Sequence, residues 1–251
     1  MSLLRTQKLV KHFGDTRAVD SVDFIVSQGE FLSLVGANGA GKTTLVNLIS
    51  AYLQPDSGHI FFQDQDITFL PVADRIKAGI ARSFQLVNLF DDLSAFDNVA
   101  LAIFSREGKT RNLFTLAEKD DAVTQEALEV LREFGMEDKR ETLAGGLAQG
   151  ERKLLDVAVA HALRPKLLFL DEPTSGVSTR DKAQIMDTVS SVVRAGKITA
   201  VIIEHDMDVV FKYSDRIVVM QEGSILADGS PEEIRQNDEV AAMLLGTSAS
   251  T

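Results

Sequence analysis

A glycine-rich segment, GANGAGKTT at residues 36–44, constrains the fold of this chain more than any other stretch. The apolar run Phe31–Val35 ends immediately before it, and a segment that favours helix, Leu45–Tyr52, follows it. Glycines let the backbone bend so that successive N–H groups point into one concavity, and the following helix adds its positive N-terminal end. The order strand, glycine loop, helix therefore predicts a phosphate-binding loop in an α/β fold.

The side chains of this loop fit the terminal phosphates of a nucleotide. We expect Lys42 to supply a positive charge there and the Thr43 hydroxyl to coordinate Mg²⁺. A chance glycine-rich turn is the alternative, and the complete GxxxxGK[ST] pattern behind an apolar run argues against it. The residues expected to contact the nucleotide are Gly36, Asn38, Gly39, Ala40, Gly41, Lys42, Thr43 and Thr44.

The composition restricts the partners of the protein. Its 251 residues carry a net charge of −11, which disfavours general nucleic-acid binding because that depends on Lys and Arg. The chain has no cysteine, so disulfides and thiolate chemistry are excluded. No apolar run approaches the ~20 residues that cross a bilayer, and the N-terminal stretch lacks the features of a signal peptide. We therefore expect any membrane role to come through a partner.

The hydrophobic pattern changes twice along the chain. Leu3–Lys11 and Ala18–Ser27 read as strands of a β-rich N-terminal layer, whereas residues 98–135 favour helix. From Lys166 an alternation of strands and helices returns, including an amphipathic helix over Asp181–Arg194. No internal repeat is found, so we expect one nucleotide-binding unit.

Two carboxylates follow the buried run Lys166–Leu170. Ligands of parallel α/β sheets gather at the carboxyl ends of the strands. We therefore expect Asp171 to hold Mg²⁺ through water and Glu172 to polarise the attacking water as general base. The alternative is a surface turn with incidental acids, which the preceding apolar residues and Pro173 oppose.

Three single residues are weaker candidates. His205 follows the predicted strand Ile198–Ile203 and is expected to contact the γ-phosphate, the alternative being a structural histidine. Gln85 is a neutral amide that can coordinate Mg²⁺ and orient water, although most glutamines are surface residues. Phe13 can stack on adenine, although an aromatic residue at a strand end is usually part of the core.

A second anion site is predicted at the start of the helix Arg152–Leu163. One nucleotide does not need two phosphate cradles, so this segment is expected to serve the nucleotide of a neighbouring copy. Its residues are Leu147, Ala148, Gln149, Gly150 and Glu151.

Together these residues resemble the ATPase subunit of ABC transporters over about Leu3–Gly246. The matching motifs are GANGAGKTT (Walker A), Gln85 (Q-loop), LAQGE at 147–151 (signature), LLFLDEP at 167–173 (Walker B), SGVS at 175–178 (D-loop) and His205 (H-switch), with Phe13 as the adenine-stacking aromatic. The resemblance implies an α/β P-loop NTPase (RecA-like) core with a parallel-rich sheet. It also implies an N-terminal antiparallel β subdomain and an inserted α-helical subdomain. In that reading residues 1–251 are one domain, with the β and core parts at about 1–84 and 164–251 and the helical part at about 86–163.

The resemblance further implies an ATPase that uses ATP and Mg²⁺ and works as a head-to-tail dimer with an identical or paralogous subunit. Each ATP lies between one Walker A and the other subunit's signature. The implied partners are two integral membrane permease subunits and, indirectly, a solute-binding protein, with no nucleic acid. The implied location is peripheral, at the cytoplasmic face of the membrane. The stretches ARSFQLVNLFDDLSAFDNV, IIEHDMDVV and ADGSPEEI are most similar to importers of branched-chain amino acids and related amides or urea.

Two departures leave alternatives open. The usual LSGGQ signature has a serine where this chain has Ala148, and Gln149 and Glu151 also differ; LAGGL at 143–147 is a rival alignment. The D-loop aspartate is replaced by Ser178. A regulatory module that binds nucleotide but hydrolyses it slowly is therefore one alternative. A soluble ABC protein that acts on translation or DNA is another, and the single acidic cassette opposes it.

Overall fold

The computed structural model describes residues 1–83, 89–109, 120–240 and 242. These residues form two compact units. The first unit contains Met1–Ala78 and the described residues from Ile198 onward, and the second contains the described residues of Gly79–Lys197. Within these ranges no helix is both long enough and apolar enough to cross a membrane. The predicted subdomain boundaries near residues 84–86 and 163–164 stay a prediction.

Among its described residues, the first unit carries nine of the named strands and four of the named helices. Its strands are β1 (Ser2–Phe13), β2 (Thr16–Val22), β3 (Ile25–Ser27), β4 (Phe31–Val35), β5 (Ser57–Phe62), β6 (Gln65–Asp66), β9 (Thr199–Ile203), β10 (Arg216–Gln221) and β11 (Ser224–Gly229). Its helices are α1 (Lys42–Ile49), α2 (Val72–Ala78), α7 (Met207–Tyr213) and α8 (Pro231–Arg235).

An antiparallel layer opens the chain, as predicted. Strand β1 pairs antiparallel with β2, β3 and β5, and β5 pairs with β6. The Thr6 hydroxyl ties this layer together because it donates to the Val22 carbonyl at 2.8 Å and accepts from the Phe24 N–H at 2.9 Å. The predicted second strand, Ala18–Ser27, is divided into β2 and β3 at this point.

Parallel strands lie next to the strand that precedes the phosphate loop in the first unit. Strand β4 is buried at all five positions and pairs parallel with β9 on one side and β10 on the other. Strand β11 closes the edge as an antiparallel hairpin with β10. Helices α7 and α8 cover part of this sheet through a buried cluster of Val35, Val210, Ile217, Val219, Ile234 and Val240. These strands and helices confirm the α/β class predicted from the sequence.

The second unit carries two strands and four helices among its described residues. They are β7 (Ile80–Ser83), α3 (Ala95–Arg106), α4 (Asp121–Glu133), α5 (Gln149–Ala162), β8 (Leu167–Asp171) and α6 (Thr179–Ala195). Strands β7 and β8 pair parallel, with Arg82 beside Phe169 and Ser83 beside Leu170. Helices α3, α4 and α5 pack on one another, so the predicted helical region is present in the chain between the two strands.

Candidate functional site

The phosphate loop joins the end of β4 to the start of α1. Gly41 precedes the helix with a left-handed backbone (φ 102), so the helix begins at Lys42, three residues earlier than the sequence predicted. Lys42 is 5% exposed, and its ammonium group donates to the carbonyl oxygens of Gly36 at 2.7 Å and Ala37 at 3.0 Å. The helix N-terminus and one ammonium group therefore lie within the same loop, an arrangement suited to binding an anion.

Two glycines of the loop are required by close backbone contacts. A Cβ atom on Gly36 would overlap the carbonyl oxygen of Met220, and one on Gly41 would overlap that of Ala18. The turn between β10 and β11 also contacts the loop, because the N–H of Gly223 donates to the Ala40 carbonyl at 3.0 Å. The loop is therefore held by neighbouring strands as well as by its own sequence.

A buried arginine fixes the opposite end of α1. Arg75 is 2% exposed, and its guanidinium donates to the carbonyls of Leu48 and Ile49 at 2.6 Å each. It also donates to the carbonyls of Thr68 at 2.8 Å and Leu70 at 3.0 Å. Burial lowers the pKa of Arg75 to about 10, so the side chain remains charged at neutral pH. A cation at a helix C-terminus stabilises the helix dipole, here that of the phosphate-loop helix.

Several other predicted ligands of the first unit are accessible, whereas Ala40 is buried. Asn38, Gly39 and Thr43 are exposed, and Thr44 is partly buried. His205 is exposed as well, and its backbone N–H donates to the Glu204 carboxylate at 3.2 Å.

The predicted adenine-stacking residue is also accessible. Phe13 ends strand β1 and is 49% exposed, so it is not the core aromatic that a strand end usually carries. The ammonium group of Lys11 lies 5.7 Å from the centre of its ring. One face of the ring is therefore near a cation, and half of the side chain remains available to a ligand.

The predicted magnesium ligand of the second unit is paired with an arginine. Arg82 Nη2 lies 2.6 Å from Asp171 Oδ2, and the two side chains are only 7% and 6% exposed. Within the described ranges Asp171 Oδ1 receives no hydrogen bond, so it remains able to bind a hydrated cation. The described residues contain no preformed cluster of three His, Cys, Asp or Glu side chains. A single carboxylate oxygen fits Mg²⁺, which commonly keeps several waters and uses substrate phosphates.

Glu172 has an unusual backbone conformation. Its φ is 48°, a left-handed value that is costly for a residue with a side chain. Its carbonyl oxygen accepts a hydrogen bond from the Ser175 N–H at 3.1 Å and another from the ammonium group of Lys153 at 3.2 Å. The conformation of the predicted base is therefore held by a turn on one side and by α5 on the other.

Residues 147–151 form the beginning of α5 rather than a turn before it. The predicted start at Arg152 is wrong by three residues, because the helix begins at Gln149 with Ala148 at the N-cap. The Glu151 carboxylate accepts from the Ala148 N–H at 2.9 Å, which satisfies one of the unpaired amides of the first turn. Leu147 is buried, whereas Ala148 and Gln149 are exposed.

Two of the positions that differ from the ABC transporter motifs, Gln149 and Ser178, have local partners. A Cβ atom on Gly176, where φ is 75°, would overlap the side-chain amide of Gln149. The side chain of Gln149 therefore lies directly against Gly176. Ser178 is the N-cap of α6, and its hydroxyl accepts from the Asp181 N–H at 3.3 Å. Serine and aspartate are both good N-cap residues, so this replacement preserves the start of the helix.

The predicted residues are divided between the two units. Residues 36–44, Phe13 and His205 belong to the first unit, and Asp171, Glu172 and residues 147–151 belong to the second. Gln85 lies outside the described residues.

Sequence reasoning missed three buried charged side chains, of which Arg82 contacts Asp171 and Lys153 contacts Glu172. Each is a charged residue within an otherwise apolar face or strand, namely Arg75 of α2, Arg82 of β7 and Lys153 of α5. A charged residue in an apolar pattern indicates a buried charge, and a buried charge needs a partner. This pattern could have identified the three side chains from the sequence.

Comparison with known proteins agrees with this geometry. Residues 19–175 match the family model described as ABC transporter. The chain is 33% identical over 240 residues to the probable branched-chain amino acid transport ATP-binding protein LivG of Methanocaldococcus jannaschii, covering 94% of this chain and 93% of the relative. It is 32% identical over 252 residues to the high-affinity LivG protein of Escherichia coli K12, covering 97% and 98%. A crystal structure of the ADP conformation of an ABC transporter cassette superposes with a TM-score of 0.85 at 30% identity, covering 98% of this chain and 99% of that one.

Proposed function

Because this chain belongs to the ABC transporter family, as one of its ATP-hydrolysing subunits, we propose that it powers the import of branched-chain amino acids or related small polar solutes. The relatives named above support the solute class, and the stretches of sequence quoted earlier agree with it. We further propose that residues 1–251 are a single cassette with a helical insertion at about 86–163.

The phosphate loop carries the nucleotide in this proposal. Lys42 and the backbone amides at the start of α1 bind the phosphates of ATP, and Phe13 stacks on the adenine. The observation that carries the proposal is the buried Lys42 ammonium group inside a glycine loop at a helix N-terminus. Such a loop selects a polyphosphate, since its positive groups converge on one small volume.

Thr43 and, through water, Asp171 would hold Mg²⁺, with Gln85 as a further ligand. When bound, Mg²⁺ neutralises the charge that develops on the phosphates during transfer. The free Oδ1 of Asp171 supports this assignment.

Hydrolysis depends on Glu172 and His205. Glu172 accepts a proton from the attacking water, and its fixed backbone reduces the cost of orienting the carboxylate. His205 donates a hydrogen bond to the γ-phosphate, where negative charge increases in the transition state. His205 is exposed, so its side chain is accessible to a ligand, which supports this role.

ATP-binding subunits of this family work as dimers with membrane permease partners. We propose that two copies, or one copy and a paralogue, close head to tail over ATP with residues 147–151 facing the partner's nucleotide. The exposed Ala148 and Gln149 support that orientation. Two permease subunits then place the protein at the cytoplasmic face of the membrane, and a solute-binding protein delivers the solute to them.

A slower variant of the same function is the second candidate. Ala148 has no hydroxyl group to contact the partner's γ-phosphate, and loss of one charge-stabilising contact typically costs ~10²–10³ in rate. In that case the chain binds ATP, hydrolyses it slowly and regulates the transporter. Turnover of the chain with and without its membrane subunits separates the two candidates.

Transport in proteoliposomes tests the proposal. The chain is reconstituted with its two membrane subunits and its solute-binding protein, and uptake of labelled leucine is measured with ATP and Mg²⁺ inside the vesicles. We expect uptake that Lys42→Ala abolishes. ATP hydrolysis without uptake of leucine, isoleucine or valine would overturn the solute assignment, and no Mg²⁺-dependent hydrolysis in the full complex would overturn the ATPase role itself.

A further inference from the structure

The contact between Arg82 and Asp171 assigns a role to a residue outside the motifs discussed above. Arg82 belongs to β7 and Asp171 ends the neighbouring strand β8. The guanidinium nitrogen Nη2 lies 2.6 Å from Oδ2, and each side chain is less than one-tenth exposed. Because the two groups are close together and shielded from water, the ion pair restricts rotation of the Asp171 carboxylate.

The two oxygens of the Asp171 carboxylate are not equivalent. Arg82 holds Oδ2, whereas Oδ1 receives no hydrogen bond from the described part of the chain. One oxygen is therefore fixed by a cation, and the other is available. Metal-binding side chains are commonly oriented in this way by a neighbouring group that does not itself contact the metal.

We propose that Arg82 is a positioning residue for magnesium: it holds Oδ2 of Asp171 so that Oδ1 is presented to the hydrated Mg²⁺ of the bound ATP. This inference rests on the proposed function, in which Asp171 is a magnesium ligand.

If Arg82 acted only through its charge, its removal would change the metal affinity in the opposite direction from that expected for a positioning role. A fixed positive charge beside Asp171 repels Mg²⁺, so a simple counter-cation would weaken metal binding and its removal would strengthen it. A positioning role predicts that removal weakens metal binding, because the carboxylate then loses its orientation. The sign of the change therefore decides between the two roles.

The test measures Mn²⁺ binding by electron paramagnetic resonance in the presence of saturating ATP, and ATP binding by calorimetry in EDTA. We expect Arg82→Met to lower the Mn²⁺ affinity about 10- to 100-fold, with ATP affinity in EDTA unchanged. Arg82→Lys, which retains a cation, should recover part of the loss. In an Asp171→Asn background, Arg82→Met should have no further effect.

The chain offers a matched control in the same unit. Arg106 Nη1 lies 2.6 Å from Glu126 Oε1, with both side chains 18% exposed, and this pair involves no residue of the proposed site. Arg106→Met should reduce stability without changing Mn²⁺ affinity. If Arg82→Met does not fold, Arg82→Gln, which keeps a neutral donor of similar length, is judged by the same criterion.

The outcomes separate this inference from the function on which it rests. Mn²⁺ affinity of the Arg82 variant that is within about a factor of two of the parent, or higher, overturns the positioning role. If Asp171→Asn itself retains the parent Mn²⁺ affinity, the magnesium assignment of Asp171 fails instead. Loss of affinity in both variants, with the double variant no worse than Asp171→Asn, supports both.

Discussion

The ammonium group of Lys153 lies 3.2 Å from the main-chain carbonyl oxygen of Glu172. Lys153 is 5% exposed and is on the second turn of α5, the helix that begins within residues 147–151. Glu172 is the proposed general base and has a left-handed backbone. The segment that is proposed to face a partner's nucleotide is therefore linked, through one side chain, to the peptide that carries this subunit's own base.

Removal of this contact should slow hydrolysis without weakening ATP binding. A hydrogen bond to a charged group contributes about 1.5–3 kcal/mol, and loss of about 1.4 kcal/mol of transition-state stabilisation corresponds to a tenfold change in rate. We expect Lys153→Met to lower kcat about tenfold with KM for ATP unchanged, as measured by steady-state ATPase assays. Lys77→Met removes a lysine that is 78% exposed and is the control. Equal kcat values for Lys153→Met and Lys77→Met would show that the contact has no catalytic consequence.

Truncation of Lys42 should weaken nucleotide binding. The side chain is the one full positive charge within residues 36–44, and its ammonium group is held inside the loop. We expect Lys42→Ala to weaken ATP binding at least about tenfold in calorimetry, because a buried charge-assisted contact with phosphate is lost. Retention of the parent affinity would remove the phosphate-loop interpretation.

Arg75 should be a large contributor to stability. Its guanidinium donates to four main-chain carbonyls, two of them at the end of α1, and replacement by an apolar residue leaves buried acceptors unsatisfied. We expect Arg75→Met to reduce the free energy of unfolding by about 3 kcal/mol or more in urea titrations. The control is Arg132→Met, since Arg132 is 62% exposed and solvent screens its pair with Glu137, so that this pair contributes little to stability. Similar losses in the two variants would contradict this role for Arg75.

The pair of Arg106 and Glu126 should make stability depend on pH. The hydrogen bond from Arg106 lowers the pKa of Glu126 below its ordinary value of 4.5, so the folded state favours the ionised carboxylate. The pair therefore contributes its full stabilisation above pH 4.5, the ordinary pKa of a glutamate. This stabilisation is lost as the pH falls through the lower pKa that Glu126 has in the folded state. We expect Glu126→Gln to be less stable than the parent by about 1 kcal/mol at neutral pH, with the difference vanishing in acid. A difference that does not change with pH in urea titrations would contradict this account.

Elements defined by local patterns were predictable from the sequence. Strand β4 coincides with the predicted run Phe31–Val35, and α6 contains the predicted amphipathic helix Asp181–Arg194. The residues Ser230–Glu233 also have the pattern of a capping box, and the Ser230 hydroxyl accepts from the Glu233 N–H at 3.3 Å. In each case neighbouring residues alone specify the structure, through burial, periodicity or capping.

Elements that depend on distant residues were not predictable. Strand β7 was missed because Arg82 interrupts its apolar pattern, and the contact with Asp171 helps to make a charge acceptable there. The start of α5 was missed because Ala148 is a poor N-cap residue, and Glu151 supplies the capping interaction from the other direction. The role of Ser178 as an N-cap was likewise hidden by its reading as a lost aspartate.

Replacement of the proposed base tests the central claim most directly. Glu172→Gln keeps the size and position of the side chain but cannot accept a proton from water. We predict that this variant binds ATP with parent affinity, forms a dimer with ATP and Mg²⁺ in light scattering, and hydrolyses ATP at least about 10²-fold more slowly. Hydrolysis at the parent rate by Glu172→Gln would contradict the assignment of the base and, with it, the account of how this chain uses ATP.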